Sequence, residues 1–88
     1  MAQLGLDTEA MGTLQKSLER DASTIASLTK QLNTQLRAAW WKGPDADKFR
    51  AEWEGTHRAQ LDRLSAALGA ASKVVGKNIT QQTQASAS

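Results

Sequence analysis

Between Thr13 and Lys42 the chain carries neither glycine nor proline, and its apolar residues step by three and four. Met11, Leu14, Leu18, Ala22, Ile25, Leu28, Leu32, Leu36 and Trp40 therefore fall on one face of a single long helix. The sole proline, Pro44, interrupts the chain at its midpoint. Beyond it the same spacing resumes through Ala46, Phe49, Trp53, His57, Leu61, Leu64, Leu68, Ala71, Val75 and Ile79. The two stripes mirror each other about the break. Trp40 pairs with Ala46, Leu36 with Phe49, Leu32 with Trp53, Leu28 with His57 and Ile25 with Leu61. The series continues through Ala22 and Leu64, Leu18 and Leu68, Leu14 and Ala71, and Met11 and Val75. The residue numbers of every pair add to 85 or 86, as opposed residues of an antiparallel hairpin must when the loop is short. The pattern predicts an all-α, antiparallel helix-turn-helix hairpin.

Local signals agree. Asp7 is placed as an N-cap, with Leu6 and Met11 as a hydrophobic staple around it. Gly43 can adopt the backbone angles of a tight bend, and Pro44 is tolerated at the first helical position. Fifteen alanines, ten leucines and eight glutamines, against two valines and two isoleucines, favour helix over sheet. The expected organisation is one domain over residues 1–88. Helix one spans about 7–41, the turn 41–44 and helix two about 44–80, with a flexible polar tail over 81–88. Each helix, at about 33 residues, would make a rod roughly 50 Å long.

The composition excludes much chemistry. There is no cysteine and a single histidine, so disulfides, thiol catalysis and a histidine metal cage are not expected. No cofactor, metal or small-molecule substrate is expected, and no enzyme. Asp45 and Asp47 lie two apart at the start of helix two and suit its dipole rather than a catalytic pair. The formal net charge of +2 is too small an excess to make a nucleic-acid track. The first seven residues carry neither a basic segment nor an apolar core, so no cleaved signal peptide is expected.

A chain this short buries only about 60% of its unfolded surface. Two facing helices cannot cover side chains as large as those of Trp40, Phe49 and Trp53. The expected solution is a four-helix-bundle dimer. Its packing would come from Leu14, Leu18, Ile25, Leu32, Leu36, Trp40, Phe49, Trp53, Leu61, Leu64 and Leu68. His57, midway along the stripe of helix two, is expected to be part-buried and to form a pH-sensitive interface. Trp40 continues the stripe, whereas Trp41 falls about 100° off it and is expected to pack less.

Trp41-Lys42-Gly43, placed at the bend of a two-helix chain of 88 residues, resembles the WXG family, the Esx-type substrates of type VII secretion systems. The resemblance covers nearly the whole chain. It implies a helical-hairpin homodimer, or a heterodimer with a paralogous WXG partner. It also implies export into the extracellular space without a cleaved signal peptide, contact with the type VII secretion ATPase, and action through protein–protein contacts. Trp41 and Gly43 would form the turn motif recognised in export. The chain departs from the family where a Tyr-x-x-x-Asp/Glu element would follow, having no tyrosine and no acidic residue after Asp62. A cytoplasmic helical adaptor that is never exported is the alternative reading.

Overall fold

The computed structural model describes residues 7–87, and the proposed Leu6 side of the staple lies outside them. Helix α1 spans Thr8–Ala38. After a short connection the chain returns through α2 (Pro44–Glu52), one π-helical turn (Trp53–His57) and α3 (Arg58–Ala87). All the described elements are helical, and the two limbs form an extended hairpin measuring 65 × 17 × 14 Å. The rod exceeds the expected length because α3 continues to Ala87, where a flexible tail was expected from residue 81. After Gly76 no glycine or proline interrupts the limb, and Ala, Gln and Ser cost a helix under about 0.7 kcal/mol each.

Helix α1 starts where its sequence dictates. The Asp7 carboxylate accepts hydrogen bonds from the Glu9 and Ala10 N–H groups at 3.0 and 3.1 Å. It stops three residues sooner than expected, at Ala38, and the connection is 39–43 rather than 41–44. Gly43 takes φ 117°, a value that residues with a Cβ avoid, and Pro44 follows as the first helical residue.

The axial pairing of the limbs follows the mirror. Ser65 Oγ donates to the Ala22 carbonyl at 2.8 Å, and Trp53 Nε1–H donates to Asn33 Oδ1 at 3.2 Å. The rotation of the second limb follows it only in part. The π turn accommodates one extra residue, so everything after it is turned by about one residue relative to a continuous α-helix. The inward seam keeps Leu61, Leu68 and Val75 and takes in Arg58, Ser65 and Ser72, while His57 and Leu64 lie outside it. Ser72 is 2% exposed, and its hydroxyl hydrogen is shared between the Gln15 carbonyl at 3.3 Å and Glu19 Oε1 at 3.1 Å. His57 and Leu64 are exposed, which corrects the expectation that one hairpin packs them.

The core is correspondingly thin. Among the described residues only Ala46, Trp53 and Val75 are buried apolar groups, joined by Thr29 and Ser72. Leu18, Ile25, Leu36, Leu61 and Leu68 are half-buried along the seam, whereas Leu14, Leu32 and Phe49 are exposed. The Gln15 side chain folds over Gly76, where an added Cβ would stand 2.6 Å from its Nε2.

Because the π turn holds one residue too many, deleting Gly55 should restore a continuous α-helix without changing which face of α3 points inward. Open space surrounds the Gly55 Cα, so no packing is lost. Thermal unfolding should show the deletion variant as stable as wild type, or more so by up to about 1 kcal/mol. A large loss would show that the π turn itself holds the limbs together.

Candidate functional site

The turn end of the rod gathers the residues singled out by the sequence. Trp41, 40% exposed, packs against Phe49 with ring centroids 5.8 Å apart and planes tilted by 46°. The Arg50 guanidinium lies 5.7 Å from its ring centre. Trp40 is 87% exposed and makes no ring contact of this kind. Their expected roles are thus reversed, and the cause is local. Helix α1 has ended before either tryptophan, so helical periodicity no longer decides where they point.

Arg50 organises this end. Its Nη1 donates to the Trp41 carbonyl at 2.7 Å, and its Nε and Nη2 reach the Leu36 carbonyl at 3.3 and 3.2 Å. Nη2 also donates to the Ala39 carbonyl at 3.2 Å. One guanidinium therefore satisfies carbonyls that the end of α1 leaves unpaired, and its charge suits the negative end of that helix. Only a planar, five-donor group does this from one position. Sequence reading missed Arg50, although its mirror position is Leu36, whose carbonyl it meets. Asn33, which holds the Trp53 indole, was missed for the same reason: a polar residue on a seam breaks the apolar stripe by which seams are recognised.

Two hollows flank Arg50. One, of about 510 Å³, is lined by the 37–43 segment with Asp47 and Arg50. The other, of about 300 Å³, lies between Asn33, Leu36, Arg37, Arg50, Trp53 and Glu54. Arg37 lines both. Among the described residues no group of His, Asp and Glu could hold a metal ion. No helix there is long and apolar enough to cross a membrane.

A second surface runs along the rod. In an antiparallel helix pair, residues offset in the same angular sense from the seam lie on the same flank. By 100° per residue, Leu14, Leu28 and Leu32 of α1 share a flank with Phe49, His57 and Leu64. All six are exposed, Leu28 at 50%. Glu19, Lys30, Arg37, Asp47, Asp62 and Lys73 fall on the opposite flank, while the leucine flank carries one charged residue on α1, Asp21. The apolar stripe read from the sequence is therefore split. One edge closes the hairpin and the other stays open.

Replacing Arg50 by Ala should cost about 2 kcal/mol, the scale of charged hydrogen bonds that are partly wet. Arg50→Lys should recover less than half of it, read from denaturant unfolding. Trp40→Ala should change stability by under about 0.5 kcal/mol, as for a surface site, and less than Trp41→Ala. No protein-family model, curated protein or solved structure matches the chain.

Proposed function

We propose that this chain is a non-enzymatic helical hairpin of Esx type, exported by a type VII secretion system and working as one half of a four-helix bundle. The observation that carries the reading is the coincidence of Trp41-Lys42-Gly43 with the bend of the hairpin, above a leucine flank that the hairpin itself leaves open. Surface area argues for the second half. A compact 9.5 kDa monomer exposes about 5,000 Å², from the scaling of surface with mass. This hairpin exposes 6568 Å². Part of the surplus of roughly 1,500 Å² belongs to the elongated shape, and the rest leaves room for the ~800 Å² that each partner contributes to an ordinary interface.

The division of labour follows from the same geometry. The leucine flank supplies assembly, and the turn end, which a lateral partner need not cover, supplies recognition by the export machinery. There Trp40 offers an indole with large apolar area and one N–H donor, and Gly43 fixes the bend that aims it.

Export is tested by expressing the chain in cells with an active type VII secretion system and probing culture medium and cytosol by mass spectrometry. The intact chain should accumulate in the medium, and Trp40→Ala or Trp41→Ala should strand it inside while leaving its helicity unchanged. Retention of the wild type in the cytosol, in cells that export a control substrate, would favour the cytoplasmic adaptor.

A further inference from the structure

We propose that the π turn is a movable register switch: it passes between Gly55 and Gly69, and the segment between them rolls so that Arg63 replaces Leu64 on the open flank. The switch needs only the hairpin and holds whether or not the chain is exported.

The second limb carries one residue more than a continuous α-helix takes, and the π turn houses it. Such a surplus settles where the α-helix is weakest, at glycine. Gly55 lies inside the present π turn, and Gly69 lies fourteen residues further on. Open space surrounds the Cβ position of both. Gly76 is not a third stop, because the Gln15 side chain covers it. The limb is anchored at either end of this stretch. Before it, the buried Trp53 donates to Asn33 Oδ1 at 3.2 Å. After it, the enclosed Ser72 bonds the Gln15 carbonyl and Glu19. Between these anchors, and among the described residues, the hydrogen bond from residues 56–68 to α1 is that of Ser65 Oγ to the Ala22 carbonyl.

Moving the surplus to Gly69 carries each residue from 57 to 68 into the place of the residue after it. That is a roll of about 100° and a slide of about 1.5 Å, with both anchors left where they are. His57 then takes the half-buried place of Arg58, and Leu64 that of Ser65. Ser65 releases the Ala22 carbonyl and moves to the exposed place of Ala66, where water replaces the bond. Leu61 and Leu68 step from the seam to its edge. One leucine enters the seam, two move aside and one hydroxyl exchanges its partner, so the two registers lie close in free energy. The flank changes far more. Leu64, 46% exposed there, gives way to Arg63, and the apolar row acquires a cation at its middle. A partner that binds the leucines therefore holds the π turn at Gly55, because it favours that register over the other.

Amide relaxation dispersion of the isotope-labelled full chain tests this, since helix register shifts fall in the µs–ms range that it reads. Residues 57–68 should share one exchange process that is absent from residues 8–14 and 76–85. Ser65→Ala, which removes the bond holding the present register, should raise the minor population at least about twofold. Deleting Gly55 removes the surplus residue, so the exchange should vanish while circular dichroism shows the helicity kept. Flat profiles in both wild type and Ser65→Ala would overturn the switch. Exchange that survives the deletion unchanged would overturn it as well, since no surplus residue is then left to move.

Discussion

Two helices pressed along one seam can cover only one side of each other, and every other feature of this chain is conditioned by that limit. The seam is built from small groups, with Ala46, Ser72 and Thr29 almost fully enclosed and the larger Trp53 seated near the turn. Close approach of this kind brings good contact but little area. At about 25 cal/mol per Å² of apolar surface removed from water, three buried apolar side chains contribute only a few kcal/mol. The leucines that could add more are on the flank, in water. Leu18, Leu36, Leu61 and Leu68 are half-buried along the seam, but Leu14, Leu28, Leu32 and Leu64 stay exposed, and that open row is the physical ground for the bundle proposed here.

The turn has to be rigid for a different reason. A helix that ends before two tryptophans leaves several carbonyls without partners and two large rings without a fixed place. Arg50 meets both needs, bonding the carbonyls of Leu36, Ala39 and Trp41 and leaning on the Trp41 ring. Because Trp41 is held, Trp40 is turned outward. The recognition proposed for this end thus depends on a residue that neither forms part of the Trp-X-Gly motif nor lies on the apolar stripe.

The two-limb architecture and its axial pairing were legible because they depend on spacing, on Gly43-Pro44 and on the Asp7 cap, all of which act locally. Rotation of the second limb was not. The π turn leaves His57 and Leu64 outside the seam and brings Arg58, Ser65 and Ser72 into it beside Leu61, Leu68 and Val75, a choice that apolar periodicity does not record. Leu64 and Ser65 are adjacent, and apolar periodicity favours Leu64. The folded hairpin half-buries the serine, whose hydroxyl donates to the Ala22 carbonyl, and leaves the leucine exposed. The Trp40–Trp41 reversal has a similar origin, since extrapolating a helix by three residues past its end at Ala38 assigns faces that no longer exist. At the candidate site, Trp41 and Gly43 were found from their motif, whereas Arg50 and Asn33 were hidden by their polarity.

The central claim is that one hairpin does not complete its own fold. The most direct measurement is the thermal unfolding midpoint of the purified chain at neutral pH as its concentration rises from about 1 to 100 µM. A fold that is finished only by assembly is stabilised by mass action, so the midpoint should climb with concentration. A single cooperative transition at a high temperature, unchanged across that range, would show that the thin seam suffices and would contradict the account.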